Sequence, residues 1–280
     1  MSGIVHSLPE ADYHAHPALS STGARLLTDP SCPALFRHAM DNPSPPDTKA
    51  LELGSAYHSL VFGVGAEVVE IPTELLAVNG AASTKAAKEF IDLARADGHI
   101  PLKVGDIAPL RAMADTLREN PIFKAATTTG SAEVSFFWTD MYGVECRGRA
   151  DWLPESGGRR LIVLDLKTAQ SAHPATFARK SMVDRGYAQQ ADWYLRGLRE
   201  LGIADKRSAF VFIAQEKTAP YLVQPIQLDS EDMRVGEILN DRALRTYAQC
   251  MESGHWPGYH DGVAVVSLPS FYKQPILESV

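Results

Sequence analysis

Apolar and polar positions change their spacing along the chain, and the change divides the elements they predict. In the first part the pattern is helical. Two small helices are expected within the first forty residues; Ser20 and Ser21 are N-cap candidates for the first, and Pro30 and Pro33 punctuate the link to the second. Asn42-Pro-Ser-Pro-Pro46 reads as a loop, and a helix should follow over about 50–61, carrying Gly54-Ser-Ala-Tyr-His58. Amphipathic helices are expected over 84–97 and 105–119, with Ser83 and Asp106 as capping candidates.

Beyond residue 130 the pattern becomes strand-like. Residues 132–138 read as a strand, Tyr142 and Gly143 as a turn, and 144–150 as the returning strand. A second turn at 155–158 leads to the apolar strand 161–166. Helices follow near 174–183 and 187–201, strands at 208–214 and 221–226, and a long helix at 230–252. The tail from Pro257 is expected to be irregular with one short strand. Strands, then helices, then strands imply the α/β class: a mixed central sheet flanked by helices, with an N-terminal helical elaboration. With no repeat or composition break, the expectation is a single domain over 1–280. Its helical part would span 1–125 and its sheet-bearing part 126–280.

Composition removes several alternatives. The three cysteines, Cys32, Cys146 and Cys250, form no CxxC pair, so neither a zinc site nor a disulfide framework is indicated. No apolar run reaches the roughly 18 residues a membrane span needs. The N-terminus lacks the basic start and apolar stretch of a secretory signal, so a cytoplasmic protein is expected. The net charge of -7 argues against a protein that coats nucleic acid by bulk positive potential. Charge is uneven, however: residues 143–200 hold ten Lys/Arg against seven Asp/Glu, and the segments on either side are acidic.

That basic third also holds the candidate chemistry. Side chains alternate along a strand, so Asp165 and Lys167 share a face, while Leu164 and Leu166 point into a core. If the preceding turn centres on Gly157 and Gly158, Asp151 falls opposite Leu164 and Asp165. Two carboxylates then converge at one end of the sheet with a lysine beside them. Converging carboxylates repel unless a cation lies between them, and oxygen donors suit magnesium or manganese. Lys167 would neutralise phosphate charge or help deprotonate water; the basic role requires a pKa depressed from about 10.4. Spacing alone is equally compatible with a surface ion pair at a strand end and a turn-forming Asp151.

Resemblance separates these readings. Arg149-Ala-Asp151, a hairpin, then Asp165-Leu-Lys167-Thr168 resembles the PD-(D/E)XK restriction-endonuclease-like core. Gly54-Ser-Ala-Tyr-His58 resembles the GxxxH helix, and Gln190-Ala-Asp-Trp-Tyr194 the QxxxY motif, of the RecB-like branch of those nucleases. Tyr13-His-Ala-His-Pro17-Ala-Leu-Ser20 and the 132–152 region are similar to RecE-like phage recombination exonucleases. The cysteine quartet of the iron–sulfur branch is absent from the sequence.

The resemblance implies a Mg2+ site, with Mn2+ as possible substitute, held by His58, Asp151, Asp165 and the Leu166 carbonyl. Lys167 would be catalytic, and Gln190 and Tyr194 would orient substrate or the lysine. Glu133 is either a further member of the site or a solvent-facing strand residue. Arg147 and Arg149 lie on the face of Asp151, near phosphate or in salt bridges to Glu145 or Asp151. Ser20 and Ser21 would serve as an N-cap or receive a terminal phosphate. The implied activity is exonucleolytic hydrolysis of linear double-stranded DNA from its ends, 5′ to 3′, leaving 3′ single strands for homologous recombination. A ring-shaped homo-oligomer (a tetramer is one form), a RecT-like annealing partner and a phage or prophage origin come with it. Rival readings on the same core are a repair or restriction endonuclease and a non-catalytic DNA-binding module.

Overall fold

A computed structural model describes residues 2–28, 30–42, 48–155 and 160–279, with backbone alone for 48–51. Its centre is the hairpin of β5 (Ser131–Thr139) and β6 (Glu145–Leu153). The turn forms where expected because the Asp140 side chain accepts hydrogen bonds from the Tyr142 and Val144 amides, at 3.0 and 2.8 Å, and Gly143 adopts φ +75°. Strand β7 (Ile162–Ala169) continues the sheet, parallel to β8 (Ala209–Glu216), which pairs antiparallel with β9 (Val223–Ile226). The other edge is β1 (Gly3–Val5), antiparallel to β5. The order is β1-β5-β6-β7-β8-β9, and β2 (Leu19–Ser20) lies parallel to β6 at Cys146 and Arg147. The expected class, a mixed sheet flanked by helices, is the observed one.

Between β6 and β7 the described register holds one pair, Trp152 with Leu164. The strands separate beyond it, and β2 lies along the other half of β6. The turn expected at Gly157 and Gly158 lies outside the described residues, as does the loop at 43–46.

Alternation along the strands supplies two cores. Val134, Phe136, Trp138, Cys146, Val163, Phe210 and Phe212 face α10 (Tyr187–Glu200) and α11 (Ser230–Ser253). Both helices approach closely: a Cβ on Gly236 of α11 would lie 2.2 Å from the Ala188 carbonyl oxygen of α10. Asn240 donates to the Gln189 carbonyl and to Asp192, both at 2.9 Å, and satisfies part of this buried junction. Helices α2 (Ser21–Leu26) and α3 (Pro33–Asp41) close the same side. On the opposite face, Leu164, Leu166 and Ile213 pack against Tyr57 and Val61 of α4 (Thr48–Phe62) and Met113 and Leu117 of α6 (Val104–Glu119). A buried polar link fixes α4 on the sheet. The Tyr57 hydroxyl donates to Gln215 of β8, and the Gln215 amide donates to the Met113 and Tyr221 carbonyls at 2.9 and 3.2 Å.

Several expected details are corrected. Thr84 caps α5 (Lys85–Ala96), not Ser83, by accepting from the Ala87 amide at 3.0 Å. Helix α6 begins after Lys103 with no side-chain cap, and Asp106 lies within its first turn, where it complements the helix dipole. The tail carries α12 (Ser270–Leu277) and no strand among the described residues, since Ser270 follows a proline in position to start a helix. Short elements escaped notice: β1, α1 (Glu10–Ala15), α7 (Pro121–Ala126), and a two-stranded parallel pair of β3 (Val68–Glu70) and β4 (Ile100–Leu102). Runs of three residues are too short to display a period. The helix expected near 174–183 is α8 (Pro174–Phe177), a π-helical turn (Ala178–Met182) and a final turn, α9 (Val183–Arg185).

Candidate active site

The site forms where β6 and β7 part. Extending the register past Trp152 and Leu164 sets Asp151 opposite Asp165, and the Leu166 amide donates to Asp151 Oδ2 at 2.6 Å. A strand residue's amide and carbonyl leave the same edge, so the Leu166 carbonyl also faces the gap. Helix α4, seated on Leu164 and Leu166, brings His58 over the gap from the other layer. Its Nδ1 lies 3.4 Å from Glu133 Oε1 and 3.8 Å from Asp151 Oδ1. Glu133 lies on β5 next to the Asp151 position of β6, between the register pairs Ala132–Trp152 and Val134–Ala150. Its backbone takes φ +51°, a left-handed conformation that non-glycine residues seldom adopt inside a strand.

His58, Glu133 and Asp151 offer ligand atoms that all lie within 4.8 Å of one another. Two carboxylates and an imidazole, partly open to solvent, fit magnesium or manganese, with the imidazole favouring the latter. Sequence reasoning left Glu133 between two readings; the fold brings it into this cluster. Asp165 lies just outside it and is almost fully buried. Gln190 Nε2 donates to its Oδ1 at 2.7 Å, and Lys167 Nζ lies 2.6 Å from its Oδ2. Tyr194 is buried one helical turn after Gln190. The residues expected together thus form two adjoining groups: His58–Glu133–Asp151 and Lys167–Asp165–Gln190–Tyr194.

Electrostatics bind the two groups. Burial pushes the Asp165 carboxyl up to about 6, aided by the Asp151 charge and opposed by Lys167. Asp151 is raised as well, chiefly by burial, with His58 and Lys167 opposing. Burial works against the charged form of His58, but Asp151 and Glu133 outweigh it and raise it to about 9. Lys167 follows the same logic. Burial disfavours the ammonium, yet Asp165 and Asp151 together hold its pKa above the ordinary value. In the metal-free site a raised pKa keeps Lys167 a cation near neutrality, a form suited to neutralising phosphate charge.

One neighbour of Lys167 was missed. The Tyr187 ring lies under Nζ, 5.2 Å from its centroid, and stacks on Phe212 at 5.0 Å. No motif flagged it; it stands at the first position of α10, three residues before Gln190. Arg147 and Arg149 reach toward the N-terminal segment. Arg147 donates to the carbonyls of Tyr13, His14 and His16, at the end of α1. Arg149 donates to Ser135 Oγ at 2.8 Å and to the Leu8 carbonyl at 2.7 Å, and its guanidinium lies 4.4 Å from the Tyr13 ring centroid. Both arginines satisfy backbone acceptors of the N-terminal segment, and neither forms a salt bridge to Asp151. Ser20 is an N-cap, its hydroxyl accepting from the Gly23 amide at 3.2 Å.

A sheet that opens beside an acid, followed by acid-X-lysine on the next strand and a histidine from a covering helix, defines the PD-(D/E)XK class of nuclease folds. The chain matches the family model described as PDDEXK-like domain of unknown function (DUF3799) over residues 20–269, and it belongs to that family. A crystal structure from Eubacterium rectale, of a protein described as a "putative exonuclease", shares the fold: TM-score 0.62, 12% identity, 95% of this chain and 97% of the other. The structure of SSO0001 aligns with 72% of this chain and 86% of its own at 16% identity, with a TM-score of only 0.30. No curated protein matches the chain.

Proposed function

We propose that this protein is a divalent-metal-dependent exonuclease that digests linear double-stranded DNA from its ends. The observation that carries the reading is the His58–Glu133–Asp151 cluster lying against the Asp165–Lys167 pair. A cation there, Mg2+ or Mn2+, would supply Lewis-acid polarisation of a phosphodiester and a more acidic water. Glu133, Asp151 and His58 would hold it, with Asp165 and the Leu166 carbonyl at its border. Lys167 stabilises negative charge as it builds on the phosphate oxygens. Gln190 holds Asp165, and Asp165 holds Lys167.

Digestion from the 5′ end, action in recombination beside an annealing protein, and a ring of several copies follow from the likeness to RecE-type enzymes. The E. rectale protein, described with the same activity, adds fold-level support for exonuclease over endonuclease. The test is a gel assay comparing end-labelled linear duplex with covalently closed circles, in Mg2+ or chelator. The reading expects loss of linear DNA only, and only with metal. Cleavage of the circle would make the protein an endonuclease; no metal-dependent turnover on either would leave a non-catalytic module.

A further inference from the structure

Residues 172–186 run from the strand that carries Asp165 and Lys167 to the helix that carries Gln190, so both ends of this arch are tied to the candidate site. Its underside is apolar: Phe177 and Met182 are buried in the core. Its outer side presents Arg179, Lys180 and Arg185, all exposed, around Val183, which is 75% exposed. The middle is wound as a π-helical turn, a form uncommon except as short insertions near functional sites.

Some surface cations are ion-paired and many are not; these three are distinguished by being gathered on one segment beside the site. Arg37, Arg95, Arg118, Arg207 and Arg234 each sit on a carboxylate, at 2.6 to 2.9 Å. Arg179, Lys180 and Arg185 form no ion pair among the described residues, although Asp184 is their neighbour. In a chain with net charge -7, unpaired like charges gathered on one short segment need a reason. Their position supplies one. Arg185 acts electrostatically on Tyr187, two residues on, whose ring lies beneath Lys167 Nζ. Arg25 of α2 donates to the Arg185 carbonyl, and Gly186 follows with φ +62°, so the end of the arch nearest the site is pinned.

We propose that this arch is a docking track for the sugar-phosphate backbone of DNA, with Arg179, Lys180 and Arg185 guiding phosphates toward Lys167. It rests on the nuclease reading above. Phosphate contacts of this kind carry affinity without sequence preference and make binding depend on salt. The exposed Val183 between the charges would lie against sugar or base and not against phosphate.

The test measures anisotropy of a fluorescein-labelled blunt duplex with chelator present, across a potassium chloride series. Parent protein, Arg179→Ala/Lys180→Ala and Arg185→Ala are compared, with Arg234→Ala as a control for a paired surface arginine. The double variant should lower the slope of log affinity against log salt by about 2, and Arg185→Ala by about 1. At about 0.1 M salt this corresponds to roughly ten- to a hundredfold weaker binding. Mn2+ binding by calorimetry should equal that of the parent, because none of these residues is in the cluster. If the parent binds duplex and the double variant matches it in affinity and slope, the track is overturned while the nuclease reading stands. If the parent neither binds nor digests DNA, both fall.

Discussion

Raising the pH through the titration of His58 should tighten divalent-ion binding, because the ion must displace a proton that the cluster itself holds. Without the ion, Asp151 and Glu133 more than offset burial and raise His58 to about 9 from its ordinary 6.5. Each unit of pKa is worth ~1.4 kcal/mol, so near neutrality the proton costs an incoming ion about 3 kcal/mol, roughly a hundredfold in affinity. Affinity should therefore rise by about a factor of ten per pH unit through this range and level off above the pKa. Calorimetric titration of Mn2+ in buffers of different ionisation enthalpy counts the displaced proton directly: about one per ion near neutrality. His58→Gln should remove both the proton release and the pH slope. An unchanged slope in that variant, or binding without proton release in the parent, would refute the reasoning. The same shift acts on folding with the opposite sign. A raised imidazole pKa stabilises the metal-free fold fully below pH 6.5, and that contribution is lost as pH rises through about 9. The side chain is 27% exposed, so solvent screening keeps the loss under about 3 kcal/mol.

Other outcomes follow from single contacts. Lys167→Met should lower DNA digestion by about a thousandfold while circular dichroism stays that of the parent, since the lost group acts on phosphate charge. Gln190→Leu releases Asp165 Oδ1 and should lower kcat about tenfold with little change in KM; a pure KM effect would assign Gln190 to substrate binding instead. Gln215→Leu strands the Tyr57 hydroxyl and two carbonyls and should cost about 3 kcal/mol in urea unfolding; a change within about 0.5 kcal/mol would mean the link is dispensable. Gly236→Ala forces a methyl onto the Ala188 carbonyl and should cost about 2 kcal/mol or more, seen as a lower Tm.

The fold class was legible because long strands and helices show their periods. The β5–β6 hairpin and helices α4, α10 and α11 fall close to their expected limits. The site was legible at residues whose spacing is local: Asp165 with Lys167 on one strand, Gln190 with Tyr194 on one helix. What the sequence concealed is how separate elements meet. Glu133 joins His58 because of an unusual backbone angle and a register to Asp151, neither of which leaves a compositional trace. Arg147 and Arg149 also hold carbonyls of an unforeseen short helix and its approach, a role that charge and spacing do not announce. Tyr187 escaped because an aromatic residue opening a helix looks the same whether it packs on a core or under an ammonium.

The one rung described between β6 and β7 divides the candidate site between two ladders. Glu133 and Asp151 ride on one panel of the sheet, and Asp165 and Lys167 on the other. Asp151 accepts from the Leu166 amide across the two panels, so an ion held by His58, Glu133 and Asp151 would be tied through that hydrogen bond to the strand of Asp165 and Lys167.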